Sequence, residues 1–270
     1  MTRRDFFFTA GALAYGQSGP TQSEIRGKKV IADAMAALGG NTFLTMADRV
    51  ETGRAYSYYR DEITGLSIAK VYTRYLTVEP NKSGSELGVR EKEVFGKTDD
   101  TSVLFLEDKG FEITWRGVKI MEQDRFDRYR ETTLRNVLYI FRQRLNEPGM
   151  IFEFQGSDVV ENLPVDIVNI TDSEDRVLTV QFHQSTKLPV RQIYKHKNPV
   201  TKEQDEEVTL YARYFDADGV QWPRSIRRLR NGEKVYEIFA EQVKTNANLT
   251  DNLFTAPEPG ANPNIKTRKK

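Results

Sequence analysis

Residues 211–238 decide the fold, and they read Y-A-R-Y-F-D-A-D-G-V-Q-W-P-R-S-I-R-R-L-R-N-G-E-K-V-Y-E-I. Runs rich in β-branched and aromatic residues are separated here by D-A-D-G at 216–219 and by Asn231-Gly232. An Asn-Gly pair is typical of a two-residue hairpin, because both of its residues tolerate a positive φ. We therefore predict three consecutive antiparallel strands, at 208–215, 221–230 and 235–243.

The same pattern continues back towards the N-terminus. Further strands are predicted near 56–58 and at 66–78, 87–95, 103–106, 111–115, 150–154, 165–170, 177–182 and 188–194. The turns between them, such as D-K-G at 108–110 and T-D-S-E-D at 171–175, recur about every ten residues, which favours an antiparallel meander. Because the strands do not alternate with helices, a parallel sheet of the Rossmann type is disfavoured.

Two segments have helical periodicity instead. Residues 25–38 place apolar side chains near helical spacing and are followed by Gly39-Gly40, which is typical of a helix C-terminus. Residues 122–146 carry a longer and largely aromatic stripe that stops at 147–149 (E-P-G). The stripe consists of Phe126, Tyr129, Leu134, Val137, Leu138, Phe141 and Leu145. It predicts a helix that either packs into the core or covers a lipid pocket as a lid.

This second helix is also rich in arginine. Its basic residues are Arg125, Arg128, Arg130, Arg135, Arg142 and Arg144. They suit contact with the anionic headgroups of a membrane surface, and the alternative is a solvated face partly balanced by Asp124, Asp127 and Glu131.

Several predicted strands are apolar on both faces. In 66–78, Leu66, Ile68, Tyr72 and Leu76 share one face, and Ala69, Val71 and Tyr75 share the other. A sheet with one solvated face would alternate apolar and polar residues, so a strongly curved sheet with a covered concave side is indicated. Closure of the barrel, a dimer partner or an apolar ligand would cover it, and side chains alone can also fill a small barrel.

Composition limits the chemistry. The chain has 270 residues, 40 basic and 39 acidic side chains, 11% aromatic residues and no cysteine. A net charge of +1 gives no basis for a nucleic-acid partner. Without cysteine, disulfides, thiol nucleophiles, cysteine-bound zinc and an N-terminal lipidated cysteine are excluded. The length suits one domain, which we place at 25–257.

Catalytic motifs are lacking. No G-x-S-x-G, H-E-x-x-H or P-loop pattern occurs, and the acidic loops near 99–100 and 203–207 lack the spacing of a calcium loop. A hydrolase of envelope lipids with His183 as its base is the enzymatic alternative, but no nucleophile is arranged around that histidine. We therefore expect a protein that is not an enzyme and that has no cofactor and no metal site.

The N-terminus has the layout of an export signal. Residues 1–14 read M-T-R-R-D-F-F-F-T-A-G-A-L-A, with paired arginines, a short apolar run and an A-x-A site. The paired arginines resemble a twin-arginine signal. We expect residues 15–24 to be a linker, residues 258–270 to be a disordered basic tail, and the protein to be periplasmic, soluble and not itself lipidated.

The C-terminal half resembles a known family. The strand pair around D-A-D-G-V-Q-W-P, the close N-A-N-L-T-D-N-L-F-T-A-P at 246–257 and A-L-G-G at 37–40 are similar to the pattern of the LolA/LolB-like lipoprotein carriers and outer-membrane lipoprotein-sorting proteins. The resemblance covers 25–257 in layout and is specific at 208–257. It implies an α+β fold, mainly β, in which two or three helices plug the concave face of an antiparallel half-barrel of about eleven strands.

The resemblance also implies a function, which is to hold the acyl chains of lipids or lipoproteins in an apolar cavity and carry them to the outer membrane. No polar site of the family can be matched to this chain. From strand parity and the helix stripe, the predicted lipid-binding residues are Tyr72, Leu104, Phe105, Trp115, Val137, Phe141, Phe152 and Phe154. The alternative on the same scaffold is an envelope-stress sensor or protein-interaction module without transfer activity.

Overall fold

The computed structural model describes residues 19–99, 101–198, 201–256 and 258. The strands are β1 (Asp48–Tyr59), β2 (Glu62–Tyr75), β3 (Val89–Phe95), β4 (Thr101–Phe105), β5 (Gly110–Thr114), β6 (Gly117–Ile120), β7 (Ile151–Val160), β8 (Leu163–Thr171), β9 (Val177–His183), β10 (Pro189–Lys197), β11 (Gln204–Ala217), β12 (Val220–Arg230) and β13 (Glu233–Thr245). The helices are α1 (Gln22–Leu38), α2 (Asn41–Leu44), α3 (Gln123–Leu134) and α4 (Val137–Tyr139), and α4 continues into a π-helical turn (Ile140–Arg144). Short 3-10 turns lie at Pro80–Lys82 and Asp251–Phe254.

All thirteen described strands form one antiparallel, curved sheet that does not close. Its order is β6-β5-β4-β3-β2-β1-β13-β12-β11-β10-β9-β8-β7, so β1 and β13 join the two halves. The chain leaves one edge of the sheet at Ile120 and enters the other edge at Ile151. The segment between them, which contains α3 and α4, therefore crosses the sheet from edge to edge, and the predicted half-barrel with helices on its concave side is confirmed.

The predicted hairpins are present. Asn231 and Gly232 both have positive φ, 51° and 85°, and connect β12 to β13 as a two-residue turn. Asp218 and Gly219 connect β11 to β12 in the same way. The sheet has thirteen described strands, against about eleven expected. The strand that no predicted segment covers is β6, which has four residues and is too short for alternation to show.

Helix boundaries differ from the prediction at two places. Helix α1 begins at Gln22, inside the segment 15–24 that we expected to be a linker, because Thr21 and Glu24 form a reciprocal capping box. The expected single helix at 122–146 is interrupted after Leu134. There the side chain of Asn136 accepts hydrogen bonds from the backbone N–H groups of Leu138 and Tyr139, so it starts a new helical segment.

The main core lies between α1, α4 and strands β7–β13. Helix α1 packs so closely on β7 that a Cβ on Gly27 would lie 2.3 Å from the carbonyl oxygen of Phe152. A second cluster lies on the opposite side of the sheet, where Leu104 and Phe111 contact Phe254 of the C-terminal segment. A third, beneath α3, contains Val103, Phe105, Met121 and Phe126.

A buried ion-pair network fixes the end of the crossing segment. Arg144 is 1% exposed and donates to both carboxylate oxygens of Glu147, at 2.7 and 3.1 Å. It also donates to Asp172 at 3.1 Å and to the carbonyl oxygen of Leu134. Asp172 in turn accepts from Arg176. Since an unpaired buried charge is costly, these contacts hold the π-helical turn against the loop between β8 and β9.

Among the described residues, no helix is long and apolar enough to span a membrane. The predicted export signal at 1–14 lies outside the described residues, as does the predicted basic tail except for Glu258.

Candidate functional site

A cavity of about 410 Å³ lies between the concave face of the sheet and the segment formed by α3 and the start of α4. Its sheet wall comes from β1–β4, β12 and β13, and its other wall from α3, Asn136, Leu138 and Tyr139. The side chains on the sheet wall are Arg49, Glu51, Val71, Thr73, Tyr75, Val89, Glu91, Glu93, Phe105, Trp222, Ile226, Arg228, Tyr236 and Ile238. A volume of this size falls within the range of about 300–1,000 Å³ that is usual for small-molecule sites.

Strand periodicity explains this set. Successive side chains of a strand point to opposite faces, so residues two apart share a face. Val71, Thr73 and Tyr75 of β2 therefore line the cavity together, while Tyr72 lies on the other face. The cavity-lining side chains of neighbouring strands lie side by side, because Arg49 of β1 pairs with Thr73 of β2 and Thr73 pairs with Glu91 of β3.

The wall is amphipathic, whereas the sequence led us to expect an apolar cavity. Arg49 is 8% exposed and donates to the hydroxyl of Tyr75 at 2.8 Å. Its guanidinium lies 4.2 Å from the centre of the Trp222 ring. Glu51 is 3% exposed, and its Oε2 accepts from Trp222 Nε1 at 3.3 Å. Burial raises the pKa of Glu51, and Arg49 counteracts this only in part.

Two glutamates of β3 continue the polar surface. Glu91 accepts from the hydroxyl of Thr73 at 2.7 Å and from that of Tyr129 in α3 at 3.3 Å. Burial and the neighbouring charge of Glu91 raise the pKa of Glu93 to about 7. Burial also raises the pKa of Tyr129 well above its usual value. Glu91 and Glu93 thus form an acidic surface that faces the cavity.

Three side-chain atoms of this wall are buried without a hydrogen-bond partner among the described residues. They are Arg49 Nε, Glu51 Oε1 and Arg228 Nε. These atoms have almost no solvent-accessible surface, so they lie within the wall rather than at its surface, and Arg49 Nε is 3.7 Å from Glu51 Oε2.

Helix α3 covers the cavity and is attached by few side chains. The ring of Tyr129 stacks on Phe105 with centroids 3.5 Å apart, and Phe126 is buried in the cluster beneath the helix. Arg125 and Arg128 line the cavity but are exposed, and Arg125 forms an ion pair with Glu112 of β5. The two exposed arginines therefore form a positively charged opening of the cavity, which we call the basic mouth.

The segment that follows α3 is attached more firmly. Tyr139 accepts a hydrogen bond from the backbone N–H of Gly88 at 2.7 Å, and Gln143 donates to the carbonyl oxygens of Leu76 and Gly88. Arg142 donates to the carbonyl oxygen of Met46 at 2.9 Å. Together with the buried Arg144 network, these bonds make the π-helical turn a fixed support, and α3 is the part of the cover with fewer restraints.

The eight predicted lipid-binding residues lie in different surroundings. Phe105 lines the cavity. Tyr72 and Leu104 belong to the cluster on the convex side, and Trp115 is 58% exposed in the turn between β5 and β6. Val137, Phe141 and Phe152 lie in the main core, and Arg26 covers the ring of the half-buried Phe154 at 3.9 Å. The structure therefore does not bring the eight residues together.

The charged wall residues were not predicted. Arg49 and Glu51 are two residues apart in β1, as are Glu91 and Glu93 in β3. Each pair therefore lies on one face of its strand. Charged side chains are by default assigned to the solvated face, however, since they are seldom buried unless they are paired. In β3 a signal was available, because the two glutamates share a face with the apolar Val89 and Phe95.

No metal centre is found among the described residues, where no three His, Asp or Glu side chains group suitably. The ring of His183 interacts with the nearby Thr186 through its Nδ1.

No protein-family model matches the chain, and no curated protein matches it. Solved structures do share its fold. A DUF1329 family protein from Desulfovibrio piger is 14% identical with a TM-score of 0.56, covering 85% of this chain and 97% of its own. A putative outer membrane lipoprotein-sorting protein domain from Vibrio parahaemolyticus is 11% identical with a TM-score of 0.55, covering 86% and 97%. A LolA superfamily protein from Nitrosomonas europaea is 12% identical with a TM-score of 0.52, covering 85% and 97%.

At these identities the similarity concerns the fold. The chain therefore has a LolA-like fold, as the resemblance at 208–257 implied.

Proposed function

We propose that the protein is a periplasmic carrier that binds the acyl chains of a lipid or lipoprotein in the cavity beneath α3 and delivers them towards the outer membrane. The observation that carries this proposal is the cavity of about 410 Å³ on the concave face of a LolA-like sheet. One of the similar solved structures is described as a lipoprotein-sorting domain.

The apolar part of the wall suits an acyl chain. Val71, Val89, Leu138, Ile226 and Ile238 all line the cavity. Each methylene group transferred from water to such a surface contributes about 0.8 kcal/mol, so a long chain supplies many kcal/mol of gross binding energy. Part of this offsets the cost of displacing α3, which keeps binding reversible.

Release requires that some part of the cover can move. Helix α3 meets the sheet through Tyr129, Phe126, the buried Leu134 and the exposed Arg125–Glu112 pair, whereas the π-helical turn is held by buried ion pairs and backbone hydrogen bonds. We propose that α3 swings about the break at Asn136 while the π-helical turn stays in place. The basic mouth, Arg125 and Arg128, would then face an anionic membrane surface during transfer.

The direct test is lipid extraction and mass spectrometry on protein purified from an exporting host without detergent. The expected result is co-purified lipid or acylated peptide in stoichiometric amount. Ile238→Trp, and independently Ile226→Phe, should reduce that amount because both side chains fill the cavity. Leu66→Trp is the matched control, since Leu66 is 60% exposed.

Empty protein with native circular dichroism would contradict the carrier proposal. A stable protein partner in pull-downs together with an empty cavity would instead support the sensor or interaction module on the same scaffold.

A further inference from the structure

The charges that line the cavity are not all matched within the described part of the chain. The lining includes four arginines and three glutamates. Arg49 is balanced at the sheet wall, because its Nε lies 3.7 Å from Glu51 Oε2 and its Nη2 lies 3.9 Å from Glu91 Oε2. Arg125 is balanced by its ion pair with Glu112. The unmatched positive charge therefore belongs to the other two arginines.

These two arginines are Arg128 of α3 and Arg228 of β12. Within the residues that the structure describes, neither forms an ion pair or a side-chain hydrogen bond. Arg128 is exposed, and Arg228 is half-buried with its guanidinium 5.8 Å from the centre of the Tyr236 ring. The remaining glutamate, Glu93, offsets them only in part, since burial and the charge of Glu91 raise its pKa to about 7 and leave it about half protonated at neutral pH.

We infer that the lipid carries an anionic headgroup, a carboxylate or a phosphate, which contacts Arg128 and Arg228 while its acyl chain extends along the apolar wall. This inference rests on the proposed function, because it names the class of lipid that the same cavity takes. An uncharged headgroup would leave the positive charge unmatched, and a cationic one would add to it. Guanidinium groups form short, charge-assisted hydrogen bonds with both of the proposed anions.

The two arginines approach one end of the cavity from opposite walls. Glu93 lies within electrostatic range of both Arg228 and Arg125. Arg128 follows Arg125 by three residues on α3, so the two side chains lie on the same side of the helix. On the sheet, Arg228 pairs with Tyr236, close to the turn between β12 and β13. The headgroup therefore lies at the basic mouth.

The rest of the cavity suits the acyl chain. Trp222 and Leu138 line it and also belong to the main core, so this end is closed. Trp222 and Arg228 are six residues apart in β12, which corresponds to about 20 Å of extended strand. Ile226 and its cross-strand partner Ile238 lie along the path between them. An amphiphile can thus place its chain on the isoleucines with its headgroup at Arg228.

The test uses four amphiphiles with chains of twelve carbons, each titrated into the delipidated full-length protein by calorimetry at neutral pH. Laurate and dodecyl phosphate are anionic, monolauroylglycerol is uncharged and dodecyltrimethylammonium is cationic. We expect at least one anion to bind about tenfold or more tightly than the uncharged and cationic amphiphiles, the factor that one or two charge-assisted hydrogen bonds supply. Comparing the two anions distinguishes a carboxylate from a phosphate. Inorganic phosphate is titrated separately and should bind far more weakly than dodecyl phosphate.

Substitutions assign the preference to residues. Arg128→Gln and Arg228→Gln should each lower the affinity for the preferred anion towards that for monolauroylglycerol and leave monolauroylglycerol binding unchanged. Arg228→Lys keeps the charge and should retain most of the preference. The matched control is Arg130→Gln, which should not alter the preference, because Arg130 lies on the same helix outside the cavity lining and pairs with Asp127.

The outcomes separate this inference from the proposed function. Binding of monolauroylglycerol or dodecyltrimethylammonium as tight as that of both anions would overturn the inference and leave a lipid carrier standing. A preference for anions that survives Arg128→Gln or Arg228→Gln would overturn it too, as would binding of inorganic phosphate as tight as that of dodecyl phosphate. Failure of all four amphiphiles to bind would overturn the proposed function itself.

Discussion

The ring of Tyr129 in α3 lies flat on the ring of Phe105 in β4, with centroids 3.5 Å apart and planes inclined by 6°. Both residues also line the cavity, so this stack closes one side of it and attaches the cover to the sheet. The hydroxyl of Tyr129 reaches a wall carboxylate, Glu91, at 3.3 Å. One helical side chain thus links the cover, the apolar part of the wall and its charged part.

Replacing Phe105 with alanine should loosen the cover. We expect the free energy of unfolding to fall by about 3–5 kcal/mol, the usual cost of truncating a buried phenylalanine, and α3 to become sensitive to limited proteolysis. Denaturant unfolding and mapped proteolysis measure the two effects. Tyr129→Phe is the control, because it keeps the stacked ring and should leave α3 resistant. A folded Phe105→Ala protein with unchanged cleavage in α3 would show that the stack does not hold the helix.

Gly27→Ala should destabilise the protein although alanine favours helix formation by about 1 kcal/mol. The added Cβ would lie 2.3 Å from the carbonyl oxygen of Phe152, so α1 would have to move away from β7. Lys28→Ala, at the neighbouring exposed position, should be close to neutral. A thermal midpoint for Gly27→Ala equal to or above that of the wild type would refute the close approach of α1 to β7.

The buried ion pairs of Arg144 and the exposed ion pair of Arg130 should contribute very differently to the free energy of unfolding. Arg144→Ala leaves Glu147 buried without its arginine and leaves Asp172 with Arg176 alone, and it should cost about 3–5 kcal/mol. Arg130→Ala removes an exposed pair with Asp127 at 3.6 Å and should cost less than about 1 kcal/mol. Urea unfolding of both variants gives the comparison, and similar losses in the two would contradict the assigned role of the buried network.

Glu93 should make stability depend on pH. Its pKa is about 7 in the folded protein, against an ordinary 4.5, so the folded state holds its proton more tightly than the unfolded state does. Stability should therefore fall as the pH rises from about 4.5 to 7 and should change little above that range. Glu93→Gln should flatten this slope and make the variant more stable than wild type at pH 8, by on the order of 2 kcal/mol.

Unfolding free energies measured from pH 5 to 8 test this prediction. The Glu93→Gln variant should keep a smaller dependence of stability on pH, with the same sign, because burial also raises the pKa of Glu51. An unchanged slope in Glu93→Gln would show that Glu93 is not held in a desolvated position.

Local signals in the sequence predicted the sheet well. Asn231-Gly232 and Asp218-Gly219 specify their hairpins through residues that accept positive φ, and these turns lie where the sequence predicted them. The break at Asn136 was less visible, because the apolar stripe continues across it from Leu134 to Val137 at a spacing that suits one helix. Only the capping role of Asn136 distinguishes two segments from one.

The cavity was harder to predict, because it depends on which face of each strand is concave. Strand parity separates Val71 from Tyr72 but does not say which of the two points inward. That choice depends on the C-terminal segment, where Phe254 covers the convex side near Tyr72 and Leu104. The buried charges escaped prediction because the partners of Arg49, Glu51 and Glu91 are distant in the sequence and lie on β2, β12 and α3.

Photo-cross-linking tests the central claim, that an acyl chain occupies the cavity beneath α3, most directly. A fatty acid with a diazirine in its chain is bound to the delipidated protein, irradiated, and the modified residues are mapped by peptide mass spectrometry. We predict cross-links at cavity residues such as Val71, Leu138 and Ile238, and their loss in Ile238→Trp but not in Leu66→Trp. Cross-links confined to the core around Phe141 and Phe152, or to exposed Trp115, would contradict the account.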